Sequence, residues 1–213
     1  MSEIGGRAWQ RMLSGRRLDI IDPSPLDIEI DDIALGLARL NRWNGQTHGE
    51  HGYSVAQHSM LVAELVATET PSAPGPCLLA ALLHDGPEFV TSDLVTPFKR
   101  AIGPAYVELE ARLARTIHLA FGLPALLPQE WREMIDRADR LAAFIEAIHL
   151  AGFTEAEARQ VFGFRRPAPD VDIDPWDAPT ARKRFLTVFQ DLAAGGMSCR
   201  RQWRIARDSQ ALA

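Results

Sequence analysis

"LLAALLHDGPEFVTSDLVTP", residues 78–97, is the stretch whose reading decides the fold. Leu78, Leu79, Ala80, Ala81, Leu82 and Leu83 are what a buried helix should contain. His84, Asp85, Glu88 and Asp93 follow at once, and such groups tolerate burial only when something pairs with them. Adjacent helix residues point about 100° apart, so His84 and Asp85 can converge on one ion only from a site beside a helix end. Glu88 shares the side of His84 if the helix continues through Gly86 and Pro87.

Outward from this stretch the chain reads as helices. "SPLDIEIDDIALGLARLNRW" (24–43) sets acids at its N-terminal end and then repeats Ile33, Leu37 and Leu40 at helical spacing. "YSVAQHSMLVAELVATE" (53–69) places Val55, His58, Val62, Leu65 and Val66 on one face. The breaker-rich "TPSAPGP" (70–76) ends that helix, and residues 77–85 form the next. Two longer helices follow in 104–122 and 127–152, each closed by glycine. "TEAEARQVFG" (154–163) opens with a capping threonine and a nearby glutamate. A Pro- and Asp-rich loop (164–179) leads to a last helix in 180–196. "RRLDIIDP" (16–23) admits a short hairpin. The fold class is all-α: a single-domain helical bundle with a motif-bearing core over 33–150, an N-terminal extension over 1–32 and a C-terminal loop and helix over 151–213.

Composition narrows the function classes. The chain has 213 residues, 46% hydrophobic and 24% charged, which suits one globular core rather than a disordered chain. A net charge of -5 gives no global basic field for nucleic acid. The arginines of "CRRQWRIARD" (199–208) read as a solvated tail. No apolar stretch approaches the ~18 residues of a membrane span, and no secretory leader is visible. Two cysteines, Cys77 and Cys199, make no disulfide framework. These features predict a cytoplasmic protein that binds neither membrane nor nucleic acid.

Titratable groups fall where the helical period puts core. His58 points inward with Val55, Val62 and Leu65. Asp139 in "IDRADRLAAFIEA" lies near the apolar side with Ile135 and Ala142. Together His58, His84, Asp85 and Asp139 make a set of two nitrogen and two oxygen ligands suited to Mn, Co, Zn, Fe or Mg. Such a set leaves coordination positions for water and substrate, as hydrolytic metal chemistry requires.

The pattern H…HD…D resembles the HD-domain phosphohydrolase superfamily. "RW" (42–43), "SVAQHS" (54–59), "LLHDGPEFVTSDLVTPFK" (82–99) and "ADRLAAFIEA" (138–147) resemble the branch containing bacterial 5'-deoxyribonucleotidases. The resemblance implies one divalent metal ion held by His58, His84, Asp85 and Asp139. It implies Glu88 as the acid that handles the proton of water or leaving oxygen, with Asp93 supporting that network or the sugar end. Arg42 would grip phosphate, where a guanidinium fork matches its oxygens. Trp43 would pack on sugar or base, and Lys99 would add positive charge near the phosphate. Two positions depart from the branch: Gln57 stands where glutamate is common, and Ser92 where glycine is common.

The implied activity is metal-dependent release of phosphate from (deoxy)nucleoside 5'-monophosphates, with a small phosphate ester as partner and room for a homodimer through exposed helices. Three alternatives stay open. One is cleavage of a nucleoside di- or triphosphate anhydride; Phe89 after Glu88 departs from the "HDxxED" of guanosine tetraphosphate hydrolases. Another is a non-catalytic module binding a nucleotide or a partner. The last is tied to His48 and His51 in "NGQTHGEHGY" (44–53). They read as loop residues first, as substrate-facing next, and as holders of a second metal, as in oxygenase relatives, last.

Overall fold

Val55–Glu69 forms helix α2, and the fold is organised around it. Ser54 caps it by accepting from the Gln57 amide at 3.2 Å. The spacing of Val55, His58 and Val62 predicts one apolar face, but residues 55–67 are buried on every side. A helix apolar all round belongs inside the bundle, and helices on all flanks cover this one. They are α1 (Ile30–Arg39), α3 (Gly75–Leu82), α7 (Gln129–His149) and α9 (Ala178–Ala193).

The computed structural model describes residues 8–94, 96–169, 171 and 173–196. Cys199 and the arginines of 200–207 lie outside the described residues. Among the described residues the architecture is all-α with one two-stranded hairpin that precedes the helices. Strands β1 (Trp9–Arg11) and β2 (Arg17–Asp19) pair antiparallel, so the hairpin that 16–23 admits forms with its first strand just upstream. It is tied to α1 through Ser14, whose amide donates to Asp32 at 3.0 Å and whose hydroxyl donates to the same carboxylate. Leu18 from the hairpin and Phe185 and Leu192 from α9 join the central core.

The decisive stretch differs from the expected helix over 77–85. Helix α3 starts earlier because Pro76 sits in its first turn, where no amide proton is needed. It stops at Leu82, and residues 83–87 form a turn. Pro87 disfavours helical geometry at the residue before it. Gly86 is required here: a Cβ would lie 2.9 Å from the Leu83 carbonyl oxygen and 3.1 Å from Ile117 Cδ1. Glu88 therefore heads a separate short helix, α4 (Glu88–Thr91). Helices α5 (Thr96–Ile102) and α6 (Pro104–Ala120) carry the chain away and back. Helix α8 (Glu155–Phe162) begins with the expected capping box between Thr154 and Glu157 and ends at left-handed Gly163.

Candidate active site

Three chain segments meet at the buried end of α2. The turn after α1 is laced to the start of α2: the Arg42 amide donates to the Tyr53 carbonyl at 2.8 Å, and Val55 donates to Leu40 at 3.0 Å. Gly52 permits this approach, since a Cβ there would lie 2.4 Å from Asn41 Cγ. Arg42 and Trp43 are thereby set beside His58, in the first turn of α2. The turn after α3 brings His84 and Asp85, and the middle of α7 brings Asp139.

His58 is 0% exposed, and its Nδ1–H donates to Glu146 Oε1 at 2.6 Å. His84 Nδ1–H donates to the Ala81 carbonyl at 2.9 Å. With both Nδ1 atoms engaged, each ring turns Nε2 toward the other's neighbourhood. Asp139 Oδ1 lies 3.0 Å from His58 Nε2 and 4.0 Å from His84 Nε2. Asp85 Oδ2 lies 3.4 and 3.2 Å from the same two nitrogens. Despite this closeness, both Nε2 atoms are buried without an aligned hydrogen-bond partner. Ligand atoms of His58, His84 and Asp139 fall within 4.8 Å of one another, the one such grouping of three among the described residues. Two imidazoles with outer nitrogens anchored and the Asp139 carboxylate within reach fit a divalent cation; Asp85 lies beside both rings but outside that grouping.

The electrostatics agree. Burial and Arg42 oppose protonation of His58, but Glu146 and Asp139 outweigh them and push it up to about 10. His84 is raised as well: burial opposes, and Asp85 then Asp139 prevail. Burial works against ionised Asp85, yet His84, His58 and Arg42 hold it well below the carboxylate range. Asp139 is lowered against its burial, chiefly by His58. These acids hold positive charge on the imidazoles, at the position a cation would claim.

Glu88 is buried, 4% exposed; its Oε2 has no hydrogen-bond partner and its Oε1 accepts from Lys99 Nζ at 3.3 Å. Burial first, then Asp85 and Asp93, push this carboxyl up to about 9 against the pull of Lys99. Asp93 is raised by burial, with Arg42 opposing. Lys99 also donates to Glu110 at 3.1 Å, so it neutralises acids here. Trp43 and Asn44 are left-handed, at φ 58° and 51°. The Trp43 ring sits 5.8 Å from that of Phe153.

His48 and His51 are exposed, on a loop whose His48 amide donates to Leu150 at 2.8 Å. No described grouping of ligands includes them.

Glu146 escapes the sequence reading. It is 0% exposed and accepts from His58, from Arg42 Nε at 2.8 Å and from Trp43 Nε1 at 3.0 Å. Its one signal is an acid two turns after Asp139 on the same helix, set within "AAFIEAI".

Comparison with known proteins follows the same residues. Residues 35–160, more than half of the chain, match the family described as 5'-deoxynucleotidase YfbR-like. An uncharacterized protein of Rhodobacter capsulatus is 58% identical over 163 residues, covering 76% of this chain and 82% of its own. The uncharacterized protein YfdR of Escherichia coli is 35% identical over 111 residues, covering 51% of this chain and 57% of its own. No helix among the described residues is long and apolar enough to cross a membrane.

Proposed function

From the premise that this chain belongs to the YfbR-like family, a family of hydrolases, we propose that it is a divalent-metal-dependent phosphohydrolase. Its substrate is a (deoxy)nucleoside 5'-monophosphate. The observation that carries the reading is the pair of buried Nε2 atoms, each with its Nδ1–H spoken for, grouped with Asp139 and flanked by Asp85.

His58, His84, Asp85 and Asp139 hold the ion; Mn, Co, Zn, Fe and Mg all suit this donor set. When bound, the ion supplies charge neutralisation for the phosphate and a lowered pKa for a water. Arg42 keeps its Nε on Glu146 and its Nη1 3.8 Å from Asp85, and the remaining donors of its guanidinium bind phosphate oxygens. Glu88 takes the proton from the attacking water and returns it to the leaving sugar oxygen, a task suited to a carboxyl of raised pKa. Lys99 keeps Glu88 oriented through their 3.3 Å contact. Asp93 and Trp43 contact the sugar and base.

The test is a phosphate-release screen over nucleoside mono-, di- and triphosphates, run together with metal analysis. Chelated protein should be inactive and recover with Mn or Co. Glu88→Ala should keep its metal and lose at least about 100-fold in turnover. Full activity of Asp85→Ala on every monophosphate the native protein hydrolyses would refute the proposal.

A further inference from the structure

One carboxylate, Glu146, is faced by three donors from two separate parts of the chain: His58 Nδ1 at 2.6 Å, Arg42 Nε at 2.8 Å and Trp43 Nε1 at 3.0 Å. The group is fully buried and forms a 2.8 Å ion pair with Arg42, whose guanidinium is always charged and can only donate, so it stands as a carboxylate. An ionised carboxylate can only accept, so each partner must donate. That requirement has two consequences. His58 carries its proton on Nδ1, which leaves the Nε2 lone pair for a metal. Arg42 and Trp43 are pinned through their inner nitrogens, which holds the turn whose Trp43 and Asn44 are left-handed, at φ 58° and 51°, a conformation that bulky residues rarely adopt.

We infer that Glu146 is a positioning residue that joins the metal centre to the phosphate-binding turn, presenting His58 Nε2 as a ligand while orienting Arg42 and Trp43. The inference rests on the proposed phosphohydrolase reading, and it adds a single residue through which metal affinity and substrate affinity are coupled. Helix α7 thus contributes twice to the site, with Asp139 as ligand and Glu146 two turns later as the brace.

Glu146→Gln tests this with little change of shape. An amide offers one accepting oxygen and one donating nitrogen. Placing the oxygen against Arg42 and Trp43 sets the amide N–H₂ against His58 Nδ1. The ring must then accept at Nδ1 and protonate at Nε2, the atom needed for the metal. Titration calorimetry of chelator-stripped protein with Mn(II) should show a Kd about 10- to 100-fold weaker in the variant. On saturating metal, KM for the monophosphate should rise more than kcat falls, because a neutral amide oxygen holds the Arg42 guanidinium and the Trp43 N–H less firmly than a carboxylate does. If the variant does not fold, 15N-histidine-labelled native protein loaded with Zn(II) decides. It should show a protected Nδ1–H signal that disappears in His58→Ala.

An equal Mn(II) Kd in Glu146→Gln, or a Zn(II)-loaded native protein lacking that Nδ1–H, overturns the inference. Neither binding measurement uses a nucleotide or turnover, so a failed phosphate-release screen leaves them readable. Native protein that binds none of Mn(II), Co(II) and Zn(II) overturns both this inference and the functional reading.

Discussion

Gln57→Glu restores the residue common in the resembling branch, and this chain should resist it. Gln57 is 0% exposed, and its two amide atoms do opposite things. Nε2 donates to the Asp174 carbonyl at 3.0 Å, while Oε1 accepts from the Trp176 amide at 2.9 Å. A carboxylate can keep the second bond but not the first. If it stays ionised, it meets a carbonyl oxygen at van der Waals range and leaves that acceptor unpaired, for about 1–3 kcal/mol plus the several kcal/mol of a buried charge. If it takes up a proton, the new O–H can donate to Asp174 and both bonds survive. The second course costs only the protonation of a group whose unfolded pKa is about 4.3, which is about 3.7 kcal/mol at pH 7 and roughly 1 kcal/mol at pH 5.

The cheaper course sets the outcome. The folded pKa of the new carboxyl is raised, so its deficit is absent below about pH 4.3 and grows as pH rises. Urea denaturation of native protein, Gln57→Glu and Gln57→Met, each at pH 5 and pH 7, reads this directly, because the native pH dependence cancels in the differences. The glutamate variant should lose about 3–4 kcal/mol at pH 7 and recover by about 2–3 kcal/mol at pH 5. The methionine variant should show a deficit that does not change with pH. A glutamate deficit below about 1 kcal/mol at pH 7, or one that is flat with pH, would refute the reasoning.

Two further perturbations act on the element that carries Glu88. In Gly36→Ala the new Cβ would lie 2.7 Å from Phe89 Cβ and 3.0 Å from its Cα, so α1 and α4 must part. Stability should fall by about 1–3 kcal/mol, and turnover should drop while metal content per chain holds, as metal analysis and phosphate release together would read. Ser92 occupies φ 68° and ψ 157°, a region essentially reserved for glycine. Ser92→Gly should raise the urea midpoint by the equivalent of roughly 1 kcal/mol, after glycine's extra unfolded-state entropy is set against the relieved strain.

Much of this was legible in the sequence, for a physical reason that also marks where legibility stops. His58 and Asp139 stand out because a polar group at a core position breaks a local period. The pair His84–Asp85 stands out because a helix end is the one place where neighbours can converge. Glu146 breaks the period just as Asp139 does, yet its partners Arg42, Trp43 and His58 are some hundred residues away, and no local pattern says that three donors await it. Gln57 is opaque in the same way: only the loop at 174–176, folded back over α2, explains why an amide suits the position better than an acid. Helix α2 differs from its expected single inward face: residues 55–67 have no outward face, and periodicity cannot report burial on all sides.

Charge balance argues for a divalent ion in the proposed site. Arg42 and Glu146 cancel each other across 2.8 Å, both in contact with the ligand set. His58 and His84 are neutral once their Nε2 lone pairs are donated. Of the four proposed ligands, Asp85 and Asp139 then carry charge: burial opposes it, and the histidines and, for Asp85, Arg42 hold them ionised. Two unbalanced carboxylates in a half-buried pocket are costly, with Asp139 the more open of the two at 44% side-chain exposure. A divalent cation matches these two ligand charges where a monovalent one leaves one of them unmatched. Asp139→Asn should therefore weaken Mn(II) binding by more than the loss of one ligand atom, since it also removes half of the charge that the ion neutralises.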